Sequence, residues 1–321
     1  MTAMKRSALS CVVAILAIFT VGCGGAREGA NADTATGEAA SDLAGRIQID
    51  GSSTVGPYAT AAAERFRSAN PGVQVTVGVS GTGGGFERFC AGETDISNAS
   101  RPIKDEEREA CKNKGIEFLE LQVANDALTV VVNSDNDWVD CLTVPQLKKI
   151  WDQGSKVRTW KDVDPSWPAE RLRLYGPGTD SGTFDYYTDE INGEEGRSRS
   201  DYSASEDDNV IVQGVSGDRG ALGYFGLSYF EQNKETLKAL AIDGGDGCVE
   251  PTVESAQQGT YKPLSRPLFI YVKNDALARA EVRAFLEFLF ANEREIAANS
   301  QFVPLTDEQL HQGKDALAAA G

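Results

Sequence analysis

The sequence is poor in histidine, the residue on which many enzymes and metal sites depend. Its 321 residues contain one histidine, His311. A single histidine excludes histidine-rich metal sites and most enzymes in which a serine or cysteine nucleophile needs a histidine base. The six cysteines include no pair at the short spacing of a zinc knuckle. We therefore expect a protein that works without a metal, a cofactor or covalent catalysis.

Basic residues are scarce relative to acidic ones. Lysine and arginine number 31 against 48 aspartates and glutamates, which gives a net charge of −17. This balance argues against a basic groove for nucleic acid and against electrostatic binding to anionic lipid. The hydrophobic fraction of 41% is typical of globular proteins, and the length suggests about two domains. The composition therefore predicts an acidic, two-lobed protein that does not bind nucleic acid.

Hydrophobic runs long enough for a membrane span are absent beyond the N-terminus. Residues 1–22 combine a positively charged start with an apolar stretch, 8–21, that is too short to span a membrane stably. This pattern is typical of an export signal. It ends at Cys23, which resembles a bacterial lipoprotein motif, although Thr20 stands where that motif prefers leucine. A lipidated Cys23 would anchor the protein to the cell membrane, and an ordinary secretory signal would still place it outside the cytoplasm.

Residues 23–45 are predicted to be the lipidated cysteine and a flexible tether. The segment after Cys23 consists mainly of Gly, Ala, Thr, Ser, Asp and Glu, a composition that cannot bury a core. Such a tether lets a folded domain move above a membrane while it stays near a partner there.

The remaining cysteines of the exported chain suggest two disulfides. An even number in an oxidising compartment favours pairing over four buried thiols, and three pairings are open. We prefer one bond that closes a local loop, Cys90–Cys111, and a second that staples one lobe, Cys141–Cys248.

The hydrophobic pattern alternates between strands and helices, which predicts an α/β sheet with right-handed crossovers. The predicted strands are 48–49, 73–79, 95–99, 118–123, 127–132, 172–175, 221–224, 240–242 and 268–272. The predicted helices are 58–68, 86–91, 104–113, 144–151, 278–291 and a segment that ends near residue 191.

Three segments share the design of a strand end, small hydroxyl and glycine residues, and then a helix. They are residues 51–54, 80–85 and 180–183. A helix N-terminus offers unpaired N–H groups and partial positive charge, and glycine lets the backbone approach a ligand. One such loop is an ordinary helix cap, but three in one exported chain indicate an oxyanion site. Its candidate residues are Ser53, Thr54, Ser80, Thr82, Asp180, Ser181, Gly182 and Thr183.

A fourth segment, Ser100 and Arg101 before Pro102, follows a predicted strand. A planar guanidinium suits a bidentate grip on a tetrahedral oxyanion. The alternative is that Arg101 forms a surface ion pair with Asp105 or Glu106.

Four motifs in order resemble one protein family, the PstS-type phosphate-binding lipoprotein of the high-affinity phosphate ABC transporter. They are residues 51–55, 80–86, 95–103 and 175–186. The resemblance implies a monomer with a two-lobed periplasmic-binding-protein fold of type II, which closes on inorganic phosphate and delivers it to a membrane permease. It also implies that Ser53, Thr54, Thr82 and residues 181–183 donate hydrogen bonds to the anion.

The family architecture implies where the chain divides. Lobe 1 is expected to comprise residues 46–126 plus 267–321, and lobe 2 residues 127–266. The chain would cross between the lobes near 123–130 and again near 263–268.

Two positions depart from the family pattern. Ser100 stands where the best-known members have an aspartate that accepts the phosphate proton, and Pro177 stands where they have an arginine. We expect Arg101 to take over the cationic role. The proton acceptor is then Asp180 or Asp185, because burying an unpaired phosphate proton would cost about 1–3 kcal/mol.

Two other functions remain open from the sequence. An extracytoplasmic phosphatase could use Ser181 or Thr183 as its nucleophile, but the sequence offers it no evident base. An oxyanion sensor or adhesin could keep the same fold and signal through another partner.

Overall fold

The structure is a computed structural model that describes residues 43–179 and 181–320. The predicted export signal, the lipidation site Cys23, almost all of the tether and Asp180 lie outside the described residues. Within the described part, none of the helices combines the length and the apolarity that crossing a membrane requires.

The chain alternates between strands and helices, as the sequence predicts. The strands are β1 (Gly45–Gly51), β2 (Val73–Val77), β3 (Ile96–Ala99), β4 (Phe118–Asn133), β5 (Cys141–Thr143), β6 (Arg173–Pro177), β7 (Ser203–Ser205), β8 (Ala221–Gly226), β9 (Leu237–Ala239), β10 (Ala241–Asp243), β11 (Cys248–Val249) and β12 (Ser265–Lys273). The helices are α1 (Gly56–Ala69), α2 (Gly81–Cys90), α3 (Asp105–Asn113), α4 (Val144–Trp151), α5 (Trp160–Val163), α6 (Gly182–Tyr187), α7 (Asp208–Ser216), α8 (Leu227–Gln232), α9 (Val253–Gln257), α10 (Asn274–Leu277), α11 (Ala280–Ala291), α12 (Glu293–Asn299) and α13 (Asp307–Ala319), and a π-helix (Thr188–Asn192) continues α6.

A mixed sheet forms the centre of the fold. Its strand order is β2-β1-β3-β12-β4-β8-β6-β7, and β9 also pairs with β4. The strands β2, β1 and β3 run parallel to one another, as do β8, β6 and β7, while β12 and β4 pair antiparallel with their neighbours. A second, small sheet has the order β11-β10-β5. This arrangement confirms the predicted α/β class.

The strand β4 corrects one prediction, because it is continuous where the sequence indicates two strands. Residues 124–127, which include the predicted gap, pair with residues 265–268 of β12, and the pairing continues beyond a bulge between Leu268 and Phe269. The first part of β4 pairs with β12, and its second part pairs with β8. The polar residues in the middle interrupt the hydrophobic pattern but not the backbone hydrogen bonds, so periodicity alone misses the continuity.

The described residues contain two large hydrophobic cores. The first core draws on residues between Ile47 and Ala124 and again from Leu268 to Leu317. The second core draws on residues between Leu128 and Leu264. Because the change from one core to the other falls within β4 and at the start of β12, these strands connect the two cores.

One helix start differs from the sequence prediction, and one helical segment has an unexpected type, both for local reasons. The helix α2 begins at Gly81 instead of residue 86, because burial of Phe86 and Phe89 in a third cluster outweighs the low helix propensity of the glycines. The segment after α6 is a π-helix, in which the Thr188 hydroxyl donates to the Phe184 carbonyl at 2.9 Å.

Both predicted disulfides are present. Cys90–Cys111 joins α2 to α3, and Cys141–Cys248 joins the two strands that flank β10 in the small sheet. Each bond closes a loop of the unfolded chain, which typically stabilises a fold by about 2–4 kcal/mol.

Candidate functional site

A cavity of about 480 Å³ opens where the three hydroxyl- and glycine-rich loops meet. Its lining is polar and contains both hydrogen-bond donors and carboxylates. The lining residues are Ser52, Ser53, Thr54, Ser80, Gly81, Thr82, Gly83, Gly84, Ser100, Arg101, Lys104, Gly182, Asp185, Tyr186, Asp189, Glu190, Glu195 and Arg266.

Seven of the ten predicted site residues line this cavity. They are Ser53, Thr54, Ser80, Thr82, Ser100, Arg101 and Gly182. Ser181 and Thr183 are not among the lining residues, and Asp180 lies outside the described residues. The structure therefore brings residues of all three loops to one cavity, and Gly182 is the one described candidate of the third loop that lines it.

The first loop leaves β1 at Gly51, where only glycine fits. Its φ is +140°, and a Cβ there would lie 2.2 Å from the carbonyl oxygen of Asn98. The turn that follows brings Ser53 and Thr54 to the cavity. The Ser53 hydroxyl interacts with Asp185 and opposes the rise in the pKa of that carboxyl.

The hydroxyls of the second loop, on Ser80 and Thr82, already form hydrogen bonds within the protein. The Ser80 hydroxyl donates to Asp50 at 2.7 Å, so its proton is already engaged and a ligand would meet only its lone pairs. Thr82 Oγ1 lies 3.1 Å from the Ser100 hydroxyl and accepts from the Ser100 N–H at 3.3 Å. Between them, Thr82 and Ser100 therefore retain one hydroxyl proton that a ligand could receive.

Arg101 lines the cavity and also forms a local ion pair. Its guanidinium donates to both carboxylate oxygens of Glu107, at 2.8 and 2.7 Å. Neither of the partners considered from the sequence, Asp105 or Glu106, forms this pair. Burial opposes the ionisation of Glu107, but the hydrogen bonds from Arg101 and from the Lys104 N–H, together with the charges of both residues, outweigh it. The pKa of Glu107 therefore lies below its usual value. The positive charge of Arg101 is thus largely compensated.

The third loop meets the first at a close backbone contact. Ser181 caps α6, where its hydroxyl oxygen accepts from the Thr183 N–H at 3.2 Å. A Cβ at Gly182 would lie 2.8 Å from Thr54 Oγ1 and 3.0 Å from the Thr54 nitrogen. Glycine at this position is what allows α6 to approach the first loop.

Sequence reasoning missed two charged residues, Arg266 and Asp126. They lie opposite each other on β12 and β4, and Arg266 Nε and Nη2 are each 3.3 Å from the same oxygen of Asp126. Burial raises the pKa of Asp126, and the guanidinium offsets part of this rise. The available signal was a charged residue at each predicted lobe crossing, but the predicted strands began one residue after Asp126 and two residues after Arg266.

An acidic wall lines the same cavity as the hydroxyl-bearing loops. We use this name for Asp185, Asp189, Glu190 and Glu195, which all line the cavity. Burial and the neighbouring Glu195 raise the pKa of Asp185, while Ser53 and Arg266 oppose that rise. No group of three or more ligand-type residues suited to a metal ion occurs in the described ranges. The cavity is thus suited to a ligand that offers negative oxygens to one wall and a proton to the other.

Comparisons with known proteins agree over most of the chain. A family model described as a PBP superfamily domain matches residues 31–293. Protein SphX of Synechococcus elongatus is 53% identical over 262 residues, which cover 81% of this chain and 77% of that protein. The phosphate-binding protein PstS of Staphylococcus saprophyticus is 43% identical over 317 residues, which cover 98% of this chain and 95% of the relative.

A solved structure extends the agreement to three dimensions. The crystal structure of a possible phosphate binding protein from Planctomyces limnophilus matches with a TM-score of 0.83 at 45% identity. The match covers 87% of this chain and 99% of that one.

Proposed function

Because this chain belongs to the PBP superfamily of solute-binding proteins, we propose that it captures inorganic phosphate and delivers it to the membrane permease of an ABC transporter. The observation that carries the proposal is the convergence of the first two loops, Gly182 and the guanidinium groups of Arg101 and Arg266 on one polar cavity. The relatives named phosphate-binding protein PstS support this choice of ligand.

The donor set fits a tetrahedral oxyanion. The first N–H groups of α2 have no partner within the helix, and the glycines at its start keep the backbone accessible to a ligand. The Thr82–Ser100 pair contributes one hydroxyl donor, and guanidinium groups add charge-assisted hydrogen bonds. Fixed dipoles of this kind hold an anion at short range, although the net charge of the protein is negative.

Asp185 is the proton acceptor that we propose for bound phosphate. It lines the cavity and is half-buried, whereas Asp126 is engaged by Arg266. A carboxylate at this point would accept the proton of monohydrogen phosphate. It would repel sulfate, which carries no proton at neutral pH, and so would provide selectivity.

The proposed delivery depends on two lobes that close on the ligand. We assign residues 46–126 and 267–321 to lobe 1 and residues 127–266 to lobe 2, with β4 and β12 as the connection. The separation of the two hydrophobic cores supports this division. Closure would bury the anion and create the surface that the permease reads.

We further propose a monomer that is held outside the cytoplasm by a lipid on Cys23, with residues 24–45 as its tether. The proposed role is binding without catalysis. Ser181 and Thr183, the candidate nucleophiles, do not line the cavity, and His311 lies in α13. No feature of the described residues therefore favours a phosphatase over a receptor.

Isothermal titration calorimetry on the full-length protein, stripped of ligand by unfolding and refolding, tests the function. We expect phosphate to bind with a micromolar or lower Kd at pH 7 and sulfate to give no heat. Binding of sulfate or molybdate instead would overturn the assigned ligand while the anion site remained. If no oxyanion gave any heat of binding, the proposed receptor function would be overturned.

A further inference from the structure

Arg266 and Asp126 occupy the point at which the two connecting strands pass from one core to the other. Arg266 lies between Leu264 of the second core and Leu268 of the first. Asp126 lies opposite it, between Ala124 and Leu128, which belong to the first and second cores. A charged pair therefore stands at the connection between the cores, where the side chains on either side are apolar.

The Arg266 guanidinium contacts groups that belong to different parts of the fold. Its Nη2 donates to Thr54 Oγ1 at 3.0 Å, next to Val55 of the first core. Its central carbon lies 3.5 Å from the ring centroid of Tyr186, which belongs to the second core. One side chain thus connects the first loop, the strand pair and α6.

Part of this guanidinium remains available to a ligand. Nε and Nη2 carry the hydrogen bonds to Asp126 and Thr54, whereas Nη1 has no hydrogen-bond partner among the described residues. The side chain is only 14% exposed, and the surface that it retains lines the cavity. Arg101, in contrast, uses both of its terminal nitrogens on Glu107.

A buried ion pair of this kind is seldom retained for stability alone. Desolvation of both charges commonly costs as much as their attraction returns. Asp126 holds the guanidinium in place through hydrogen bonds from Nε and Nη2, and the Tyr186 ring, which lies against the guanidinium face, fixes its plane. Both contacts orient a donor toward the cavity before any ligand arrives, which reduces the ordering cost of binding.

We propose that Arg266, and not Arg101, is the principal cationic ligand of the anion, and that it couples anion binding to closure of the two lobes. The inference rests on the proposed phosphate function. Nη1 binds a phosphate oxygen while Nη2 and the guanidinium face hold Thr54 and Tyr186 together. Asp126 acts as a positioning residue, because it contacts the guanidinium and not the cavity.

Titration calorimetry with inorganic phosphate on the full-length protein tests the cationic role. The double variant Arg266→Gln/Asp126→Asn neutralises both members of the pair, so that no buried charge is left uncompensated. We expect its Kd to rise at least about 30-fold. The matched control is Arg158→Gln, because Arg158 is exposed and pairs with Asp201 outside the cavity. It should bind phosphate within about twofold of the wild type.

Small-angle X-ray scattering with Arg266→Lys tests the coupling. Lysine keeps the charge but loses the planar group that stacks on Tyr186 and donates to two acceptors at once. At saturating phosphate we expect the wild type to contract and the lysine variant to contract less. Full contraction of the lysine variant would overturn the coupling.

The outcomes separate this inference from the proposed function. If the wild type binds phosphate and the folded double variant binds within about threefold of it, the receptor function stands and the role of Arg266 is refuted. If the wild type binds no phosphate, the proposed function fails and the inference with it. Should circular dichroism show that the double variant is unfolded, the Kd of the lysine variant decides, and an unchanged value refutes the inference.

Discussion

The two walls of the cavity differ in how they present charge. One wall consists of hydroxyls and helix N–H groups from the first two loops, and its cation, Arg101, is paired with Glu107 six residues away. The other wall carries four carboxylates on and after α6. Arg266 lies between the walls and is paired with a residue 140 positions away. We propose from this difference that neutral donors hold the anion, that the acidic wall provides selectivity, and that Arg266 on β12 supplies the positive charge.

The substitution Asp185→Asn should have the largest effect on the proposed division of roles between the two walls. Loss of a charged acceptor should weaken phosphate binding about 10- to 100-fold. Sulfate binding should tighten, because a carboxylate no longer faces its oxygens. In the wild type, phosphate binding should weaken as the pH falls through the raised pKa of Asp185, since the protonated acid cannot accept the ligand proton. Titration calorimetry with both anions provides the measurement.

Thr82→Val on the opposite wall serves as the contrast for Asp185→Asn. Removal of a neutral hydroxyl should weaken phosphate and sulfate alike, by about 3- to 10-fold. If Asp185→Asn also weakened both anions equally, the assignment of selectivity to the acidic wall would be wrong.

Glu293 tests whether burial alone raises the pKa of a carboxyl, as burial and acidic neighbours together do for Asp185 in the acidic wall. Burial raises its pKa to about 7, although it accepts the Leu305 N–H at 2.8 Å. The folded state therefore binds the proton more tightly than the unfolded state, and stability should fall as the pH rises from about 4.5 to 7. Glu293→Gln should remove this loss and raise the free energy of unfolding at pH 8 by about 1–2 kcal/mol.

Urea denaturation at pH 5 and pH 8 measures the effect of Glu293→Gln. The matched control is Glu295→Gln on the same helix, because Glu295 is exposed and pairs with Arg65. It should change stability little at either pH. Equal changes in both variants would show that Glu293 is not a strained carboxyl.

Glu195→Gln should give the smallest effect, on the rate of association. Glu195 lines the cavity and raises the pKa of Asp185. Its neutralisation should speed phosphate association about twofold at low ionic strength, and the gain should vanish as salt screens the wall. Stopped-flow rates at increasing NaCl provide the measurement. A wild-type rate that falls steeply with salt would contradict a repulsive wall.

Much of the fold was predictable because it depends on patterns of neighbouring residues in the sequence. The alternation of hydrophobic runs predicted the α/β class. The even cysteine count predicted two disulfides with three pairings open, and the preferred pairing, Cys90–Cys111 and Cys141–Cys248, is the one present. The loops were recognisable because the same combination of hydroxyl and glycine residues occurs at three strand ends, whereas a single one would be an ordinary helix cap. The middle of β4 was missed, because its polar residues are paired by a strand that lies far away in the sequence.

In the candidate site, too, the sequence predicted which residues come together but not which atoms bond to one another. The sequence indicated that Ser80, Thr82 and Ser100 would lie together, and they do line one cavity. It did not show that the Ser80 proton goes to Asp50 or that Glu107 engages Arg101. Hydrogen-bond directions depend on side chains brought together by packing, which residue spacing does not encode.

The sequence by itself determined the local structural features of the site. These are the helix N-termini, the glycines that allow close approach of two backbones, and the hydroxyls that follow the strands. These depend on hydrogen bonds and backbone angles within a few residues. What only the tertiary structure decided is which charges meet across the sheet. Arg266 faces Asp126 because of the register in which residues 265–268 of β12 pair with β4, on one side of the bulge between Leu268 and Phe269. A shift by one residue would turn that guanidinium to the other face. Strand register arises from the packing of both cores, so the cation between the walls could be found only in the folded chain.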